Sequence, residues 1–139
     1  FVSPGILQNV TLIHTNYLPE LDSHAISVLN NHKIIIENSH FYNVPAAAVY
    51  FVSVFEGSGL FIRNSSFENF APLDGAPFGI VAERLDIIGS KFVNMLAAQP
   101  QSSVFLFAGS QAYVDGCIFE RNKVCLLLLS LTRELTTTI

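Results

Sequence analysis

One short pattern recurs along the chain at nearly constant spacing, and that spacing constrains the fold more than any other feature. Its clearest copies are residues 36–43 (IENSHFYN) and 62–69 (IRNSSFEN). Looser copies follow at 87–94 (IIGSKFVN) and 114–122 (VDGCIFERN), and a degraded copy at 12–17 leads the series. Aromatic landmarks at Tyr17, Phe41, Phe67, Phe92 and Phe119 set a period of about 25 residues, within the range of solenoid repeats. A unit of this length cannot bury an apolar face alone, so neighbouring units must stack into one continuous core.

Each copy has a strand's periodicity. Ahead of each landmark stands a pair of residues two apart: Val10 and Leu12, Ile34 and Ile36, Leu60 and Ile62, Leu85 and Ile87, Ala112 and Val114. Such pairs share one face of a strand, so Thr11, Ile35, Phe61, Asp86 and Tyr113 between them project the other way. Closer to the landmark come His14, Asn38, Asn64, Gly89 and Gly116. Asn and Gly sharing one site indicate a bend with positive φ. Thr15, Ser39, Ser65, Ser90 and Cys117 form a series of small residues inside that turn. Beyond the landmark, Asn43, Asn69 and Asn94, with Asn122 displaced by one, are placed to form a hydrogen-bonded column at a second bend.

A further strand precedes each copy, at 25–29, 49–55, 78–81 and 103–107. Alternation assigns Ile26, Val28, Val52, Val54, Phe78, Ile80, Val104 and Leu106 to its inner face, which turns Phe51 and Phe105 outward. Corners are expected at 30–32, 56–58 and 108–110, where the composition is that of turns. Variable loops at 44–48, 70–77 and 95–102 collect the prolines at 45, 72, 77 and 100, where no ladder hydrogen bond is needed. In this register Glu37 and Arg63 occupy equivalent outward sites, pairing opposite charges across neighbouring strands.

The copies IRNSSFEN, IIGSKFVN and VDGCIFERN follow the order hydrophobic-x-hydrophobic-x-Asn/Gly-Ser/Cys-x-Phe-x-Asn. This order resembles the parallel β-helix repeat of the pectin-lyase-like superfamily. The resemblance covers roughly residues 1–122. It implies an all-β, right-handed parallel β-helix solenoid of about five coils of roughly 25 residues, with three short strands per coil arranged in three sheets. Residues 123–139 then read as an incomplete sixth coil or an irregular terminal segment. The solenoid is expected to continue at both ends of the chain, although a cap or an altered reading frame would also account for the final stretch. The superfamily includes polysaccharide lyases and hydrolases, bacterial surface proteins, and extracellular modules of the bark beetle type.

Several functional classes are disfavoured. A net charge of −4 without a basic run lacks the footprint of nucleic-acid binding. The apolar run at 124–132 is too short to span a membrane. Cys117 and Cys125 make neither a disulfide framework nor a CxxC motif. Histidines 14, 24, 32 and 40 show no metal-ligand spacing, so neither metal nor cofactor is expected.

The resemblance implies that a hydrolase would cluster several Asp residues with His and basic groups, and that a lyase would combine acidic calcium ligands with an Arg or Lys base. Here Asp22, Asp74, Asp86 and Asp115 fall in different coils. Glu37 and Asp115 share a column but stand three coils apart, roughly 14 Å at the strand spacing. Paired glycosidase carboxylates lie about 5–9.5 Å apart. The densest charged group contains Arg84 and Asp86, two apart on one strand face, readable as a catalytic acid with a guanidinium clamp or as a solvated ion pair.

The apolar surface offers more. Ile35, Phe61 and Tyr113 share one outward column, Phe51 and Phe105 a second, and Leu29, Phe55, Val81 and Phe107 a third beside a corner. Phe51, Phe61, Phe105 and Tyr113, with Arg84 and Asp86, are the binding candidates, for sugar stacking or contact with a protein. The competing reading turns the corner residues inward and folds the loops over the rest. Asn9-Val10-Thr11 and Asn64-Ser65-Ser66 match the glycosylation sequon, although the bend alone also accounts for Asn64. The expected function is a non-catalytic segment of an extracellular or cell-surface β-helix, a rigid scaffold for a protein or glycan partner. The alternative is a fragment of a carbohydrate-active β-helix enzyme, a polysaccharide lyase or glycoside hydrolase, whose catalytic coils lie elsewhere.

Overall fold

The structure, a computed structural model, describes residues 5–8, 11–13, 24–29, 31–43, 47–70, 77–95, 103–122 and 125–138. The regular elements among them are all strands. They run β1 (Gly5–Gln8), β2 (Thr11–Ile13), β3 (His24–Leu29), β4 (Lys33–Glu37), β5 (His40–Tyr42), β6 (Ala47–Val52), β7 (Gly59–Arg63), β8 (Ser66–Glu68), β9 (Phe78–Val81), β10 (Arg84–Ile88), β11 (Lys91–Val93), β12 (Ser103–Asp115), β13 (Ile118–Glu120) and β14 (Cys125–Thr138).

Equivalent strands stack in parallel. β2, β5, β8, β11 and β13 form a five-stranded sheet. β1, β4, β7 and β10 lead to β12, which continues into β9, β6 and β3, with β14 added beside β12. The chain is therefore a parallel β-helix, with two of its three strand stacks fused into one hydrogen-bonded sheet. The fusion occurs because the expected corner at 108–110 does not interrupt β12. Its pairing with β14 instead shifts register between Gly109 and Gln111. The 82–83 link of the preceding coil docks there, where Ser110 N and Gln111 N both donate to the Glu83 carbonyl at 3.0 Å. A β-carbon at Gly109 would stand 2.0 Å from the Ala82 carbonyl oxygen and 2.4 Å from Phe107 Cζ, so only glycine fits.

The inward pairs assigned from the four later copies all meet in the core. Ile34, Leu60, Leu85 and Ala112 lie in one register column, and Ile36, Ile62, Ile87 and Val114 in the next. All eight are buried. Beside them the landmarks Phe41, Phe67, Phe92 and Phe119 stack with centroid separations of 4.8, 5.5 and 5.1 Å and nearly parallel planes. Phe78 meets Phe67 and Phe92 edge-on, and Phe105 does the same to Phe92. Stacked and edge-to-face pairs each add about 0.5–1.5 kcal/mol beyond the apolar area they bury.

Both bends form as the Asn/Gly pattern requires. φ is 50° at Asn38, 47° at Asn64, 58° at Gly89 and 59° at Gly116. The second bend places Asn43, Asn69 and Asn94 at φ 54°, 59° and 50°. There Asn69 Nδ2 donates to Asn43 Oδ1 at 2.7 Å, and Asn94 Nδ2 to Asn69 Oδ1 at 2.9 Å. In the last copy Arg121 takes the positive φ of 53°. Asn122, displaced by one, instead caps backbone groups, accepting from Met95 N and donating to the Phe92 carbonyl. The small-residue series holds from Ser39 onward, Thr15 lying outside the described residues. Ser65 Oγ accepts from Ser39 N and Ser90 Oγ from Ser65 N, both at 3.2 Å, while Cys117 is buried at the next position.

Three sequence expectations are corrected. First, β1 pairs with β4 through Gly5↔Ile34 and Leu7↔Ile36, and β2 with β5 through Leu12↔Phe41. Leu12 rather than Tyr17 therefore holds the landmark register, and the leading copy begins earlier than the aromatic count suggested. Second, Phe51 and Phe105 are 0 % exposed and belong to the core, whereas Val52 is half-buried and Val54 is 82 % exposed. The columns are Ile26, Val49, Phe78 and Phe105, then Val28, Phe51, Ile80 and Phe107. Strands buried in parallel sheets are apolar at nearly every position, and VYFV and SVFLF contain no alternation to set their phase. The linkers differ too: residues 53–58 join β6 to β7, but residues 82–83 suffice between β9 and β10. Third, Phe107 leaves the corner column, where Leu29 registers instead with Val52, Val81 and Ala108. Tyr17, Asp22, Asp74, His14 and Asn9 lie outside the described residues, as do the side chains of Val104 and Leu106.

Candidate functional site

The outward face of β4, β7, β10 and β12 gathers the polar and aromatic side chains that the core excludes. Its central column runs Ile6, Ile35, Phe61, Asp86 and Tyr113, as strand alternation requires for the last four. The column on one side runs Lys33, Gly59, Arg84 and Gln111, and that on the other Glu37, Arg63, Ile88 and Asp115.

Phe61 is the centre of this face. Gly59 carries no side chain, and the Phe61 ring occupies the space above it: an added β-carbon would stand 2.8 Å from Phe61 Cε2. Lys33 and Arg84 flank Gly59 on the neighbouring strands, so the ring lies between two cations. Lys33 Nζ is 4.9 Å from the ring centroid, and the guanidinium carbons of Arg84 and Arg63 are 5.7 and 5.9 Å away. Contacts of this kind at exposed sites contribute about 0.5–1 kcal/mol each. Among the described residues, Arg63 Nε is buried with no hydrogen-bond partner.

Arg84 and Asp86 form the fork that their spacing anticipated. Arg84 Nε and Nη2 each donate to one carboxylate oxygen of Asp86 at 2.8 Å. Asp86 is only 4 % exposed although it projects outward, flanked in register by Phe61 and Tyr113. Half of the Arg84 side chain remains in solvent. The hydrogen bond to Asp86 raises the guanidinium pKa, partial burial opposes it, and the carboxylate charge adds to the rise. Next along the column, Tyr113 Oη donates to Asp115 Oδ2 at 3.3 Å. The Asp115 charge, with smaller contributions from desolvation and this hydrogen bond, pushes the phenol above its ordinary value.

Of the six binding candidates named from sequence, this face therefore unites Phe61, Arg84, Asp86 and Tyr113, while Phe51 and Phe105 are interior. Lys33 and Gly59 were missed, and Arg63 was read only as the outward charge partner of Glu37, a register that the strands keep. Their signal was present in the alternation, since Lys33, Gly59 and Arg84 each lie two residues before the outward site of their strand. A second surface feature lies around a corner, where Leu29, Val54, Phe55 and Val81 are exposed and Phe55 stacks on His32 at 4.4 Å. On the five-stranded sheet His40 Nδ1 lies 2.7 Å from Ser66 Oγ. No group of three His, Cys, Asp or Glu able to hold a metal occurs among the described residues, and no described helix is long and apolar enough to cross a membrane.

The model of the right handed beta helix region family matches residues 6–138. Neither curated proteins nor solved structures match the chain.

Proposed function

The chain belongs to the right-handed β-helix family, and from that premise we propose that it is a rigid, non-catalytic segment of an extracellular or cell-surface protein that presents the Phe61 face to a glycan. The observation that carries this reading is the Phe61 ring held across Gly59, beside the Arg84–Asp86 fork. A pyranose offers an apolar C–H face to an aromatic ring and hydroxyls to planar donor and acceptor groups around it. Phe61 supplies the first contact. Arg84 and the Tyr113 hydroxyl supply groups for the second. The parallel ladders beneath keep these groups at fixed spacing, which limits the entropy lost on binding.

A non-catalytic role is supported by the engagement of the acids on this face: Asp86 holds Arg84, and Asp115 receives the Tyr113 hydroxyl. A protein partner is the second reading, favoured by the exposed apolar corner of Leu29, Val54, Phe55 and Val81. A glycan array probed with the chain, run beside a polysaccharide depolymerisation assay, separates these readings. Retention of defined glycans without shortening of any polysaccharide is the expected result. Turnover would favour the enzyme-fragment reading, and silence in both assays would leave the protein partner.

A further inference from the structure

We propose that Asn64 is an N-glycosylation acceptor whose glycan stands on the outer bend of the coil stack, next to the Phe61 face. Asn64-Ser65-Ser66 satisfies the sequon, and four structural observations make the site usable. Asn64 is exposed, at the positive-φ bend directly after β7. No hydrogen bond among the described residues uses its Nδ2, whereas the Nδ2 atoms of Asn69, Asn94 and Asn122 are all engaged as donors. The neighbouring coil places Gly89 beside it, where a β-carbon would stand 2.8 Å from Asn64 Oδ1, so no side chain obstructs that flank. Asn38 shares the bend on the preceding coil but is followed by Ser39-His40 and lacks the sequon hydroxyl.

The structure also orders the event in time. Ser66, the sequon hydroxyl, is buried and bonded to His40 Nδ1 in the folded coil. Transfer must therefore precede closure of the coil. In that step Asn64 Nδ2 forms a bond to the anomeric carbon of a polyprenyl-diphosphate-linked oligosaccharide. The bond from that carbon to the diphosphate oxygen breaks, the polyprenyl diphosphate leaves, and the amide nitrogen loses one proton. Once folding completes, the exposed bend carries the glycan without disturbing the core.

The inference rests on the extracellular reading but not on glycan binding by Phe61. The test is expression of the full 139-residue chain behind a cleavable secretion signal in cultured eukaryotic cells. Peptides from medium and lysate together are mapped after peptide-N-glycosidase release, which leaves Asp where a glycan was attached. Conversion at position 64 in the majority of molecules is expected. Asn64→Gly, which keeps the bend as Gly89 and Gly116 do, and Ser66→Ala, which keeps the acceptor but removes the sequon hydroxyl, should each abolish modification at that peptide. An unconverted Asn64 in the wild-type chain, or conversion that persists in Ser66→Ala, would overturn the inference. An unconverted Asn64 in a chain that still binds an array glycan overturns it alone, and a converted Asn64 in a chain that binds none sinks only the glycan-platform reading.

Discussion

Phe61 and Gly59 occupy one volume between them: the ring of the first fills the space that a side chain on the second would need, with 2.8 Å between Cε2 and an added β-carbon. The outward aromatic is thereby laid down against the sheet between Lys33 and Arg84. Gly59→Ala should push the far end of the ring toward solvent, a movement open to a half-exposed side chain. The expected loss of stability is about 1 kcal/mol or less, small beside the overpacking cost of a closed core. Urea unfolding measures it. A loss of several kcal/mol would mean that the ring is held by more than the space above Gly59.

Phe67 is the stability anchor. It stacks on Phe41 and Phe92 and meets Phe78 edge-on, with no exposed surface. Phe67→Ala should cost about 3–5 kcal/mol in chemical denaturation. Phe61→Ala, which empties no interior volume but gives up three exposed ring–cation contacts, should cost about 1.5–2 kcal/mol by the same measurement. Similar losses for the two would contradict the assignment of inner and outer faces.

The Asn column combines two effects that substitution separates. Asn69 has φ 59°, accepts from Asn94 and donates to Asn43. Asn69→Gly keeps the backbone conformation and removes the exposed side-chain bonds, with an expected cost of about 0.5–1.5 kcal/mol. Asn69→Ala adds the penalty for a β-carbon at positive φ, roughly 1 kcal/mol more. If thermal melts rank Ala above Gly, the bend does not require positive φ.

Tyr113 gives the outward face a pH signature. The Asp115 charge, the leading cause, raises the phenol pKa, so phenolate absorbance should develop at higher pH than in the unfolded chain. Because the folded state holds this proton more tightly, its contribution to stability is complete below the ordinary tyrosine range and fades as pH rises through the folded value. Asp115→Asn should shift the titration downward, read as a difference spectrum against Tyr113→Phe. An unmoved titration would separate the two side chains.

The sequence made the repeating coil legible because most of its signals are local. Positive-φ bends favour Asn or Gly, and the aliphatic pairs flank a single outward residue, so counting alone places Phe61, Asp86 and Tyr113 on one face. Phase was harder to read where both faces of a strand are apolar. Alternation turns Phe51 and Phe105 outward because VYFV is apolar but for Tyr50, the one polar residue of SVFLF, Ser103, shares the parity of the buried Phe105, and the linkers before the next strand vary in length. Gly109 looked like a corner, yet the need for glycine there comes from Ala82 and Phe107, contacts that sequence order does not show. The same limit concealed the site's centre. Lys33, Gly59 and Arg84 are neighbours only after three separate strands have been set in register.

The most direct test of the proposed role measures how strongly Phe61→Ala binds the best array glycan relative to the wild type, with circular dichroism confirming that both are folded. Removal of the stacking ring is predicted to weaken binding roughly tenfold or more, about 1.4 kcal/mol, while the β-sheet spectrum stays unchanged. Undiminished binding by a folded Phe61→Ala chain would contradict the assignment of this face as the glycan platform.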